Sequence, residues 1–301
     1  KNTNDLVLAT HGRGIIIIDD ISPLREISDE SLSKKLYFFE DDEYIISDLG
    51  GFADSFGRET QFFGPNSSLN AQIKYLLPKR HTFGKMTMEI FDDNGKLVTK
   101  LSPGKSKGMN FVTWNYRMKQ PKVAKGKTLA RGGLSSPRVK EGQYDIVITK
   151  GKDSFTKSIY VSDDPNTDLD SDEKKLKIDT TMKLYNLSEE LAYIVYTIDE
   201  ILSSDNFKKG IKNKLQTLKE SLVITTGDNY VGQAENELRE DLLDLFSKIS
   251  SSYDKPSQND MDNLNLVVEE YDNLKGEYDK IIKRIDFNEI NLLSFEDFLE
   301  N

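Results

Sequence analysis

Hydrophobic positions along this 301-residue chain follow three regimes. The first is a pair of short apolar runs, Leu6-Val7-Leu8-Ala9 and Ile15-Ile16-Ile17-Ile18, hinged on Thr10-His11-Gly12-Arg13-Gly14. Successive side chains of a strand point to opposite faces of a sheet, so four consecutive isoleucines predict a strand buried on both sides. An isolated two-stranded hairpin is marginal in water. The hairpin therefore calls for neighbouring strands, and the rest of the sequence offers no evident ones. The expectation is a chain that is the C-terminal part of something larger, opening inside a β domain.

The second regime alternates. Residues 22–35 read as a short helical linker, and Leu36-Tyr37-Phe38-Phe39 starts a new strand. Residues 44–65 are rich in glycine and phenylalanine and too irregular for a regular element. Strands are then predicted over 73–77 and 85–91, where Met86, Met88 and Ile90 alternate with polar residues. Asp93-Asn94-Gly95 is a tight-turn signal that returns the chain as a hairpin through 96–101. Further strands follow over 110–116, 142–150 and 154–161, the last pair joined by Gly151-Lys152-Asp153. Short strands at this spacing predict an immunoglobulin-like β-sandwich over 36–165, with Trp114 as its core aromatic.

Beyond Asp164-Pro165 the period changes to three and four. Leu184, Leu187, Leu191, Ile194, Ile198 and Ile201 form one stripe, and Leu264, Val267, Tyr271, Leu274, Tyr278 and Ile281 another. Ile211, Leu215, Leu218 and Leu222 make a third, and Leu238, Leu242, Leu245 and Ile249 a fourth. Four amphipathic helices with short polar links predict an antiparallel four-helix bundle over 166–301, capped by residues 290–298.

Several of these segments carry a family resemblance. Ala9-Thr10-His11-Gly12-Arg13-Gly14, the isoleucine run and Asp20-Ile21-Ser22-Pro23-Leu24-Arg25 resemble the end of the propeller in large bacterial sortilin-like proteins with neuraminidase-type (BNR) repeats, often labelled glycosyl hydrolases. The resemblance continues through Gly64-Pro65-Asn66, residues 71–77, residues 89–98, residues 108–115 and Gly142-Gln143-Tyr144-Asp145-Ile146. It covers the first half of the chain, and the helical remainder only in layout. It implies a multidomain β plus α chain: closing strands of a β-propeller and a linker over 1–35, the Ig-like sandwich, then the bundle. It also implies an exported protein, periplasmic or at the cell surface. The order of Asp-Asn-Gly turn, tryptophan strand and Gly-Gln-Tyr strand is similar to the Ig-like domain of flagellar hook-capping proteins, a parallel of structure alone.

Charge sharpens the domain division. Residues 1–165 hold 25 Lys and Arg against 21 Asp and Glu, whereas residues 166–301 hold 16 against 30. So acidic a helical part does not suit nucleic acid, whose phosphates need Lys and Arg. Zero cysteines exclude disulfides, zinc-thiolate sites and thiol nucleophiles. No apolar run approaches the ~18 residues of a membrane span, and Lys1-Asn2-Thr3-Asn4 lacks the pattern of a signal peptide.

Candidate chemistry is sparse. His11 and Arg13 sit on a glycine-flanked turn where they suit an anionic ligand, or equally a purely local role with neighbouring carbonyls and carboxylates. Asp19-Asp20 and Asp41-Asp42-Glu43 lack the spaced pattern of a calcium loop and read as strand-end carboxylates. No carboxylate pair or arginine cluster with a tyrosine nucleophile is recognisable, so no catalytic or metal residue and no cofactor is assigned. The acids Glu269, Glu270 and Glu277 of the last long stripe lack the histidines of a di-metal site.

One stretch stands apart: residues 95–140 contain no acid, while Lys119, Lys122, Lys125, Lys127 and Arg131 crowd a long loop over 118–139. Long loops in compact domains are functional or disordered. This one is expected either to dock an acidic surface, on a propeller of the same protein or on an anionic polysaccharide, or to be solvated. The working reading is a non-catalytic accessory and interaction module that braces a propeller and presents a protein- or glycan-binding surface. The alternative is the C-terminal part of a glycan- or peptide-hydrolysing propeller enzyme whose catalytic residues lie upstream. A third reading, a carbohydrate-binding sandwich, needs exposed aromatics from Phe52, Phe56, Phe62 and Phe63.

Overall fold

The computed structural model describes residues 4–18, 20–40, 43–46, 70–129, 131–165, 167–226, 235–285, 287 and 290–300. Phe52, Phe56, Phe62 and Phe63, and Asp19, Asp41 and Asp42, lie outside the described residues. The chain is a mixed β and α protein that divides into two compact units: Lys1–Arg117 with Val139–Thr167, and Met118–Arg138 with Asp168–Asn301. The basic loop therefore belongs with the helices, not with the strands that flank it in sequence.

The first unit begins with β1 (Leu6–Thr10) and β2 (Gly14–Ile18), paired antiparallel from Leu6 opposite Ile18 to Thr10 opposite Gly14. The expected burial of the isoleucines is not found: among the described residues the hairpin is a two-stranded sheet of its own, and Ile15 and Ile17 are 70% and 59% exposed. Its base is tied down. The Asp20 carboxylate pairs with the ammonium of Lys74, and the backbone N–H of Asp20 donates to the Asp5 carboxylate at 3.1 Å. Burial pushes the Asp20 carboxyl up, but hydrogen bonds from Lys74 and Ser22 outweigh it and hold it below its usual range. Two short helices follow, α1 (Ser22–Arg25) and α2 (Asp29–Ser33), the latter opened by a Ser28–Ser31 capping box.

Among the described residues eight further strands form two sheets. One has three strands: β3 (Tyr37–Phe38), β5 (Ala71–Leu77) and β8 (Gly108–Trp114), with β5 central and antiparallel to both neighbours. The other has five, in the order β4 (Tyr44–Ile46), β10 (Asp153–Asp163), β9 (Gly142–Lys150), β6 (Met86–Asp92) and β7 (Leu97–Leu101). β4 corrects the expectation of an irregular segment at Tyr44: three residues pair parallel to Val161–Asp163 at the sheet edge. Such a short edge strand owes its conformation to its neighbour rather than to any period of its own.

Alternation in β6 and β9 buries Met86, Met88 and Ile90 beside Tyr144, Ile146 and Ile148. Trp114 of β8 is fully buried and meets the Tyr144 ring at 5.7 Å, with Tyr116 at 5.4 Å. Its indole N–H donates to the Arg117 carbonyl at 3.1 Å, so the large ring is buried without an orphaned donor. The β6–β7 turn uses Gly95 at φ +73°, a left-handed conformation that other residues adopt at a cost.

The second unit contains α3 (Ser171–Ser203), α4 (Lys209–Leu222), α5 (Leu238–Ser251), α6 (Gln258–Ile282) and the short α7 (Phe295–Glu300). Asp170 caps α3 through the N–H groups of Asp172 and Glu173, both at 2.9 Å, and Ser257 caps α6. The apolar stripes converge on one core, with Leu184, Leu191, Leu215, Leu242 and Phe246 at its centre. Polar ties join the helices at its margin: Glu190 of α3 accepts from the Tyr271 hydroxyl at 2.6 Å and from Lys275 of α6 at 2.9 Å. No described helix is long and apolar enough to cross a membrane.

Trp114 is the chain's one tryptophan, so its fluorescence reports the first unit alone. Emission is expected to be blue-shifted in the native protein and to move red on denaturation. Trp114→Ala removes a wholly enclosed side chain and is expected to cost about 3–5 kcal/mol of that unit's stability, read by denaturant titration.

Candidate interaction site

The described residues among 118–138 include no strand or α-helix, only a 3₁₀ turn at Arg131–Leu134. Backbone groups of such a segment must find partners outside regular ladders when it is packed down. The segment closes on itself first: the Met118 N–H donates to the Pro137 carbonyl at 2.9 Å, and the Gln120 amide to the Leu134 carbonyl at 2.7 Å. Ala124 then joins the helical core, 3% exposed, and the Lys127 N–H donates to the Ile224 carbonyl at 2.8 Å. The segment is a strap laid on the helices.

Arg239 fixes the strap. It sits at the start of α5, its side chain only 3% exposed. Its guanidinium donates to the Ala124 carbonyl at 2.9 Å and the Thr128 carbonyl at 3.1 Å, while its Nε donates to the Glu240 carboxylate at 2.8 Å. A further nitrogen contact reaches both the Thr128 hydroxyl and Glu240, and that hydroxyl in turn donates to Glu240 at 2.7 Å. A buried charge is tolerated when it is paired and hydrogen-bonded on all sides, and Arg239 meets that condition by using strap carbonyls. Gly126 is required where the strap passes: a Cβ there would stand 2.5 Å from the guanidinium.

The sequence-predicted residues divide. The Lys119 ammonium lies 3.9 Å from Glu189, a carboxylate 8% exposed. The Lys122 ammonium bonds the Phe298 carbonyl and lies 4.3 Å above the Phe298 ring. Arg138 lies 4.3 Å over the Tyr253 ring. Lys125 and Lys127 are exposed, and the Arg131 side chain lies outside the described residues. His11 and Arg13 are exposed on the β1–β2 turn, whose local bond is the Thr10 hydroxyl donating to Gly14 at 2.7 Å. They belong to the first compact unit, the lysines to the second. Thus part of the basic loop meets acids and aromatics of its own chain, and Lys125 and Lys127 remain outward.

Sequence reading overlooked Arg239, Glu189 and Tyr193. Arg239 was visible as an oddity, because 239, 242, 246 and 249 step by three and four, which places an arginine in an apolar stripe.

A second electrostatic feature lies on α5 and α6. Burial and nearby carboxylates together push three acids above their usual range: Glu237 beside Glu240 and Glu270, Asp244 beside Asp241 and Glu240, and Glu270 beside Asp241. Asp260 is the opposite, held down at about 2 by hydrogen bonds from Lys248 and Ser257. Among the described residues no group of acids and histidines is arranged to hold a metal ion.

Comparison with protein-family models, with curated proteins and with solved structures finds no match to this chain.

Two outcomes are expected. Arg239→Met strips the Thr128 and Ala124 carbonyls of their donor and the Glu240 carboxylate of its cation and costs about 3–5 kcal/mol, whereas Lys125→Ala stays within about 0.5 kcal/mol, both by chemical denaturation. The pH dependence has two limbs. Glu237, Asp244 and Glu270 hold protons more tightly folded than unfolded, so the melting temperature rises as pH falls from neutrality through their raised pKa values. Asp260 is depressed, so its contribution is present above the ordinary carboxylate range and is lost as pH falls towards 2. Melting of the Glu237→Gln, Asp244→Asn, Glu270→Gln variant against pH is expected to lose the first limb and keep the second.

Proposed function

We propose that this chain is a non-catalytic accessory and interaction module of an exported, sortilin-like β-propeller protein, with β1 and β2 serving as the closing strands of the propeller. The observation that carries this reading is the hairpin itself. Leu6, Val7, Leu8 and Ile15 to Ile18 are all exposed, on both faces, and neither strand carries a charge, a proline or a bulge. Natural sheet edges are blunted by such devices, so a bare aliphatic ladder is the signature of a strand that pairs and packs with others. The Asp20–Lys74 pair and the Asp5 contact hold the ladder's base, which suits a hairpin presented to a partner rather than a frayed one.

In the same reading the three- and five-stranded sheets form an Ig-like sandwich that braces the propeller, and α3 to α6 form an antiparallel bundle. Supporting the sandwich are the alternating burial in β6 and β9 and the meeting of Trp114 with Tyr144. Supporting the bundle is the single apolar core shared by the four helices. The outward Lys125 and Lys127 on the strap offer a surface to a protein or an anionic glycan. Placement outside the cytoplasm follows from the resemblance alone.

Amide hydrogen exchange tests the hairpin's role by comparing the isolated 301-residue chain with the protein purified from its natural source. Residues 6–18 are expected to exchange fast in the isolated chain and to be strongly protected in the natural protein. Fast exchange in both would overturn the reading.

A further inference from the structure

The α7 segment is seated as a ligand would be. Phe295 and Phe298, three residues apart on one helical face, meet two tyrosines of α3. Phe298 stacks on Tyr196 with ring centroids 4.9 Å apart, and Phe295 meets Tyr193 edge-on at 5.3 Å. The Tyr193 hydroxyl donates to the Leu293 carbonyl at 2.9 Å, and the Leu293 N–H donates to the Tyr196 hydroxyl at 3.3 Å. Lys122, on the strap, bonds the Phe298 carbonyl and covers its ring. The site therefore reads two aromatic side chains, one main-chain amide and two main-chain carbonyls.

Phe298 also packs against the helical core, but the occupant is otherwise lightly held. α7 has six residues and no buried one, and an isolated helix of that length does not persist in water. Its first turn is closed locally by Ser294, whose hydroxyl accepts from the Asp297 N–H at 3.0 Å and donates to the Asp297 carboxylate at 2.8 Å. Elements of this kind open at the low end of a protein's local free energies. The groove, in contrast, is built on the 33-residue α3 and on a strap fixed by Arg239.

We propose that Tyr193, Tyr196 and Lys122 form a receptor for a short helical peptide of another protein, and that residues 293–300 occupy it as an internal competitor. The peptide's chemistry is displayed by the occupant: a serine cap, two phenylalanines three apart, and acids between and after them, as in Ser294-Phe295-Glu296-Asp297-Phe298-Leu299-Glu300. The acids complement Lys122, which lies at the negative end of the bound helix. Helix-in-groove recognition uses anchors at this spacing. This site is independent of the hairpin and stands whether or not the propeller reading does.

The test is fluorescence anisotropy with a fluorescein-labelled peptide of residues 290–300, titrated with the full chain and with its Phe295→Ala/Phe298→Ala variant. If the internal segment is seated for about nine-tenths of the time, the variant binds about tenfold more tightly than the wild type. Adding Tyr193→Ala to the variant is expected to abolish binding, and Lys122→Ala to weaken it. Absence of binding to a variant with native circular dichroism and melting would overturn the proposal, as would binding that survives Tyr193→Ala. A wild-type dimer that becomes monomeric in the double variant would also overturn it, by assigning the groove to a second copy. Should the double variant lose its helical signal, amide exchange on the wild type decides: residues 295–300 must open far more readily than α3, and exchange at the global rate refutes the idea.

Discussion

A guanidinium withdrawn from water must recover five donors' worth of hydrogen bonds, and much of the helical unit is organised around that demand at Arg239. Leu242 and Phe246, on the same side of α5, are fully buried, so the arginine's place in the stripe drives it inward with them. Helix α5 offers few acceptors there, because its carbonyls up to the last turn accept from the helix's own N–H groups. The acceptors come from a segment that has no ladder of its own. The strap supplies two carbonyls and a hydroxyl, and in exchange its backbone is satisfied without strand or helix. Each partner would be costly to bury alone.

The same exchange explains the charge pattern. An acid-free run from 95 to 140 and a strongly acidic 166–301 would each repel itself if kept apart. Laying residues 118–138 on the helices sets Lys119 near Glu189 and Arg138 on Tyr253. The neutralisation is local. On α5 and α6, Glu237, Asp244 and Glu270 remain crowded by other carboxylates, which is why they resist ionisation while Asp260, beside Lys248, does not. Opposite shifts within one unit separate acids that strain the fold at neutral pH from one that supports it.

What the sequence disclosed follows from how local each signal is. Alternation in Met86-Thr87-Met88-Glu89-Ile90 and the Asp93-Asn94-Gly95 turn identify β6 and β7 because neighbours along the chain carry all the information. Three- and four-residue steps do the same for α3 to α6. Tyr44-Ile45-Ile46 is too short to show a period, and its strand character comes from β10, more than a hundred residues away. The strap is harder still. Its lysines announce no particular partner: Lys119 lies near Glu189 and Lys122 meets the Phe298 carbonyl, neither of which any spacing rule connects to residues 118–138. Aromatic residues at 193, 196, 295 and 298 are each ordinary in sequence, and only their convergence makes a site.

The isoleucine ladder and the α7 groove present one physical problem in two states of completion. Phe295 and Phe298 find tyrosine faces and a cation within the chain, so their apolar area is partly withdrawn from water at the expense of ordering a six-residue helix. Ile15 to Ile18 find nothing comparable among the described residues, although each isoleucine fully buried contributes about 1.5–3 kcal/mol. Four such residues in one strand, with Leu6, Val7 and Leu8 opposite, leave a large favourable term unrealised. The hairpin's conformation is nonetheless defined, because Asp20–Lys74 and the Asp5 contact fix its base. A preorganised apolar surface loses little conformational freedom on association, so nearly all of that term becomes available to a partner that supplies flanking strands.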